Sequence, residues 1–161
     1  MNLEDVLKYG HHTVLHTLSG LTEEQCSVGG VCGHWSVREI IQHLASHEIV
    51  VGDILLAASG SSAPTPTLDL FIEQGQEIFN DAEVAKRQSM TYTESLREYE
   101  QAASRTQEWV SQVPLAVRRQ VGTLPWYGAE YDLEDLVAYS SYGHKREHCA
   151  QINVYRDTLK R

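Results

Sequence analysis

Apolar residues in this chain recur every three or four positions over long stretches, and nowhere in a convincing two-residue alternation. Such a chain buries its apolar surface by packing helices together, not by building sheets. The first stretch opens at Asn2, a side chain suited to an N-cap, and sets Leu3, Val6, Leu7, Val14, Leu15 and Leu18 at helical spacing, with Gly20 and Thr22 marking its end. "SVGGVCGHW" reads as a Gly-rich loop. Ser36 followed by Glu39 is a capping-box pattern, and it opens a second helix through "VREIIQHLASHEIVVGDILLAASG". The Ser/Pro linker "SGSSAPTPT" leads into "LDLFIEQGQEIFNDAEVAKRQ", expected as a shorter, interrupted helical stretch. From Thr93 a third long helix runs until Pro114 stops it. The connection "PLAVRRQVGTLPWYGAEY" follows, and Asp132 caps a final helix expected to reach the end of the chain. Four long helices with one long crossover between the second and third predict an all-α four-helix bundle. A chain of 161 residues, 42% hydrophobic, supplies one core, so a single domain over 1–161 is expected.

Bundles build their sites from side chains on facing helices, and the histidines are the residues to follow. His144 and His148 stand four apart and therefore share one helical face. They fall on the stripe formed by Leu133, Val137, Ile152, Tyr155 and Leu159, expected to be buried. On the second helix, Ile40, Leu44, Val51, Ile54 and Leu55 lie within about 120° of His43, whereas Arg38, Gln42, Ser46 and Asp53 occupy the arc from about 220° to 300°. His43 thus sits at the inner edge of the apolar arc. Three imidazoles on inward faces either satisfy one another as core hydrogen-bonding groups or hold a metal ion, and the pattern alone leaves both open. His12 and His16 share the four-residue spacing but lie among polar positions and are expected in solvent. His47, about 40° from His43 on the wheel, is a candidate fourth ligand or a group supporting the ligands.

Other motifs bound the reading from outside. His144-Lys-Arg-Glu147-His148 has the H-x-x-E-H form of inverted zinc peptidases, but only thirteen residues follow where such enzymes place a further ligand, and neither His pair is H-E-x-x-H. A net charge of −9, with no Lys/Arg run longer than two, argues against nucleic acid as a partner. The start "MNLEDVLKYGHH" has no basic segment followed by an apolar one, and no run of about 18 apolar residues occurs, so a cytoplasmic protein without a membrane partner is expected. Cys26, Cys32 and Cys149 form no C-x-x-C pair and are expected as reduced structural thiols. Helix one and "LFIEQGQEIF" carry more apolar positions than a narrow bundle seam needs, which predicts a homodimer.

The segments "HWSVREIIQHLASHE" (34–48) and "HKREHCAQI" (144–152) resemble the W-[ST]-V-[RK]-x-[IVL]-[IVL]-x-H-L-x-x-x-E and terminal H-x-x-x-H-x-x-Q-[IL] motifs of the DinB/YfiT-like superfamily, in the same order and at similar separation. The resemblance covers essentially the whole chain. It implies a DinB-like four-helix bundle with three metal-ligating histidines at His43, His144 and His148. It also implies an activity class, since relatives include mycothiol-dependent maleylpyruvate isomerases and bacillithiol transferases. His47 departs from the small, acidic or Trp residue usual at its position.

Three neutral imidazoles would leave a divalent ion, zinc first and nickel next, with its full charge and open positions. A low-molecular-weight thiol bound there is expected to ionise near neutral pH, giving a thiol-dependent transferase acting on a small electrophile. One alternative is a metal-dependent hydrolase with Glu48 or Glu147 as base, and another is a binder that sequesters a small molecule without turnover. Cys149, about 100° from His148, is expected as a buried or helix-contact thiol, and Ser140 lacks a separate base, so neither serves as an internal nucleophile. Trp126, Tyr127 and Tyr131 either wall a pocket or pack over the bundle end. Arg118 and Arg119 either meet a carboxylated ligand or lie in solvent.

Overall fold

The structure, a computed structural model, describes residues 1–160. Arg161, the last residue of the expected domain and of the expected final helix, lies outside the described residues. Helix α1, Leu3–Leu18, starts at Asn2, whose side chain accepts a hydrogen bond from the Asp5 amide. A one-turn helix α2, Glu23–Cys26, and the loop through Trp35 lead to α3, Val37–Ala58, held at its start by a reciprocal Ser36–Glu39 capping box. The crossover carries α4, Pro66–Gln74, and α5, Gln76–Lys86, divided at Gly75, whose φ of 75° is open to glycine. Helix α4 begins inside the Ser/Pro segment expected as linker. Helix α6, Tyr92–Val110, starts one residue before the expected Thr93, because Thr91 and Glu94 form its capping box. After a one-turn α7, Leu115–Arg118, Asp132 caps α8, Leu133–Leu136. The chain then runs through a π-helical segment, Val137–Gly143, into α9, His144–Thr158. No named strand occurs among the described residues. The fold is an all-α, DinB-like helical bundle with its long crossover between the second and third long helices.

Helix α3 packs along α6, and α1 packs against α9, the π segment and α6. Gly52 makes the α3–α6 approach possible: a Cβ there would stand 2.9 Å from the Trp109 ring. Two apolar clusters fill the interior, one around Leu3, Leu7, Ile54, Phe79 and Leu136, the other around Val14, Ile40, Ile41, Leu44 and Tyr99.

Buried surface reaches past the apolar arc of α3 and stops short of the end of the last helix. Gln42, Ser46 and Asp53, on the arc opposite the apolar one, are buried as well. The crossover and α6 cover that side and meet its polar groups: Gln42 Nε2 donates to the Arg87 carbonyl and to Ser95 Oγ, and Asp53 Oδ2 accepts from the Thr67 and Leu68 amides. Leu159, expected on the buried stripe, lies past the end of α9 and is 41% exposed. Helix α3 is long and apolar enough to cross a membrane by composition, but 78% of its most apolar window is buried in the bundle.

Candidate metal centre

His43 lies two turns into α3, where the capping box has fixed the helix start and where every side of the helix is covered. Trp35 packs against its ring with centroids 5.0 Å apart. His144 is the first residue of α9, immediately after the π segment, and His148 follows one turn later. The three rings meet nitrogen to nitrogen. His43 Nε2 is 2.8 Å from His144 Nε2, His148 Nε2 is 3.0 Å from it, and all three potential ligand atoms lie within 4.8 Å of one another.

Protonation follows from burial. Desolvation first, and the neighbouring imidazoles next, hold His43 far below the ordinary histidine range and push His144 down to about 3. Burial likewise lowers His148, opposed by its bond to Gln151. The rings are therefore neutral near pH 7. His148 Nδ1 donates to Gln151 Oε1 at 2.8 Å, which leaves Nε2 as a lone pair aimed at the other two rings. One ring hydrogen on His144 Nε2 can serve only one of its two close nitrogens. A shared cation accepts all three lone pairs, so the donor set fits a divalent ion. His43 Nδ1 is buried without a partner among the described residues, and the Trp35 ring packs against that imidazole at a 41° tilt.

His47 stands beside the cluster, 4.5 Å from the His43 ring and 4.8 Å from the His144 ring by centroids, but outside the three-histidine group. Its Nε2 donates to Asn80 Oδ1 at 2.8 Å, which turns that nitrogen toward the crossover. His12 and His16 are exposed. Behind the cluster lies an arrangement that sequence reasoning missed. Lys145 Nζ is 2.6 Å from Glu48 Oε2 and donates to Ser141 Oγ at 3.0 Å, with both charged side chains 3% exposed. Glu48, a candidate base, is thus held by an ammonium group, while Glu147 is exposed. The one available signal was the row Ser141, Lys145, Cys149 at four-residue spacing, which runs along the buried face of the last helix.

A cavity of about 580 Å³ opens beside His144 and His47, within the usual range for small-molecule sites. Val50, Val51, Ile54 and Leu136 form its floor, and Phe71 and Trp126, with ring centroids 5.8 Å apart, form a wall. Tyr127 also lines it and accepts a hydrogen bond from Ser140 Oγ; Tyr131 packs on Tyr127 without lining the cavity. The two arginines lie elsewhere. Arg118 forms a double hydrogen bond with Glu4, and Arg119 pairs with Glu134. Cys149 is buried, and burial raises its pKa, as expected of a structural thiol; all three cysteines are free.

The bundle, its crossover, and a histidine group drawn from the second and last long helices define a DinB-like protein able to hold a metal ion. A family model described as mycothiol-S-transferase matches residues 2–160, and the chain belongs to that family. No curated protein and no solved structure matches the chain.

Proposed function

We propose that this protein is a divalent-metal-dependent transferase that joins a low-molecular-weight thiol to a small electrophile, with His43, His144 and His148 holding the ion. The observation that carries this reading is the convergence of three neutral imidazoles at the edge of a cavity. Membership of the mycothiol-S-transferase family favours mycothiol as the thiol. Imidazole donors suit zinc, with nickel next. When bound, the ion supplies Lewis acidity that favours thiolate over thiol near neutral pH.

The chain's own residues do the rest. Gln151 fixes which nitrogen His148 presents, and Trp35 packs against the His43 ring. The apolar floor and the Phe71–Trp126 wall give the space beside His144 surfaces that do not hydrogen-bond water, where an apolar electrophile can pack. The Tyr127–Ser140 hydroxyl pair offers a polar anchor beside the apolar floor. In a substitution, sulfur bonds to the electrophilic carbon, the leaving group departs with its bonding pair, and the thiol proton passes to solvent. The hydrolase alternative loses Glu48 as a free base, because Lys145 holds it. Three free thiols accord with a reducing, cytoplasmic setting, which is part of this proposal.

The test offers metal-loaded protein a panel of electrophiles with mycothiol, bacillithiol, glutathione or no thiol. Conjugation is expected to need both thiol and metal, and to fall at least ~100-fold in His43→Ala, a loss of ~2.7 kcal/mol in transition-state stabilisation. Equal rates without thiol would place the protein among hydrolases. Stoichiometric binding without turnover would make it a sequestering protein.

A further inference from the structure

The cavity beside His144 is lined by residues from two helices, and the chemistry they present differs between the histidine end and the opposite end. At one end the His47 and His144 rings meet edge to face, with centroids 4.8 Å apart. From His47 the lining follows α3 to Ile54, and from His144 it follows the last helix back to Leu136. Ile54 and Leu136 belong to one apolar cluster, so the two helices run past the cavity in opposite directions and share its far end. Seven or eight residues at ~1.5 Å each put that far end about 11 Å from the histidines.

Charge is distributed just as unevenly. No Lys or Arg is among the described residues that line the cavity. The cations nearest in sequence are engaged elsewhere: Lys145 with Glu48, Arg119 with Glu134, and Arg146 over the Tyr142 ring. The only carboxylate in the lining is Glu147, on the same helix as His144 and therefore at the histidine end. A carboxylate placed among Val51, Ile54, Phe71 and Leu136 would give up part of its hydration and meet no cation, only the neutral polar groups of Gln76, Tyr127 and Ser140, which do not balance its charge. An aromatic or alkyl group there gains apolar burial and edge-to-face contact with Phe71 and Trp126.

We infer that the cavity selects substrates whose non-reacting body is an uncharged, apolar group, aromatic or alkyl, reaching about 10 Å from the histidine cluster, and that it discriminates against electrophiles carrying a carboxylate on that body. Calling the ligand an electrophile rests on the transferase reading; the selection by the lining does not.

The probes are methyl 2-naphthoate and 2-naphthoate, which share one ring system and differ in charge. Each is titrated into the full-length protein by calorimetry and by quenching of tryptophan fluorescence, with chelator present so that only the lining decides. The ester is expected to bind at least about ten-fold more tightly than the acid. Trp126→Ala should weaken ester binding several-fold with helical circular dichroism unchanged. Ile72→Lys, at a lining position that is 45% exposed, should narrow or reverse the preference by supplying a cation without touching the core. Equal or tighter binding of the acid, no saturable binding of the ester, or indifference of the preference to Ile72→Lys would each overturn the inference. Ester binding without thiol-dependent conjugation would defeat the transferase reading and leave this inference standing. Conjugation that prefers carboxylated electrophiles would do the reverse.

Discussion

His148 shows how one hydrogen bond sets the character of a site. Because Nδ1 donates to Gln151, the ring presents Nε2 as a lone pair, and the same logic turns His47 Nε2 toward Asn80. Burial makes these rings costly to protonate in the folded chain, with His144 pushed down to about 3 and His43, His47, His148 and His11 all lowered. In the unfolded chain the same side chains titrate near 6.5, so the unfolded state binds more protons between the two values. The stability of metal-free protein is therefore fully present above about pH 6.5 and is lost progressively as pH falls toward the folded values. Thermal melts in chelator should show Tm dropping between about pH 7.5 and about pH 5; a flat Tm across that range would contradict it. His43, His144 and His148 were legible in the sequence because helical spacing puts each on an apolar stripe. The Lys145–Glu48 pair was not, since the partners stand on different helices and a lysine in a polar-rich helix ordinarily lies in solvent.

At the scale of elements, the capped helix starts were readable from local chemistry alone. Asn2, Ser36 with Glu39, and Asp132 each satisfy orphan amides within one turn, so no tertiary context is needed to place them. The cover over the polar arc of α3 was not legible, because a wheel cannot show what packs against a helix. Its carboxylate at Asp53 serves α4, which has no side-chain cap of its own, by taking two amides at that helix's first turn. The π segment before His144 left no trace in the spacing, although such segments occur at functional sites in many proteins. Lys145 links three elements: its ammonium reaches Glu48 on α3, and its stem passes Gly10 on α1, where a Cβ would stand 3.3 Å from Lys145 Cδ. Lys145→Met leaves Glu48 buried and unpaired, and is expected to cost about 3–5 kcal/mol in urea unfolding. Replacing Glu48 with Leu in the same chain should restore much of that loss. A single-variant cost within about 0.5 kcal/mol of zero would show that the pair does not tie the helices together.

For the whole molecule, the apolar residues of helix one that motivated a homodimer are largely spent inside the chain, with Leu3, Leu7, Val14 and Leu18 all buried. Exposed Ile78 in the α4–α5 stretch remains, and the proposal of a homodimer rests on it, since Ile72 lines the cavity. Sedimentation velocity at micromolar concentration should show a dimer that Ile78→Asp dissociates, and monomer alone in the unaltered protein would reject it. The molecule's central claim is a metal held by residues 101 positions apart in the chain, His43 and His144, joined by His148. The most direct measurement is the metal content of untagged protein offered zinc or nickel, compared with His43→Ala, His144→Ala and His148→Ala at unchanged helical content. About one ion per chain in the unaltered protein and well under half in each variant is the expected result; full occupancy in all three variants, or no uptake by the unaltered protein, would contradict it.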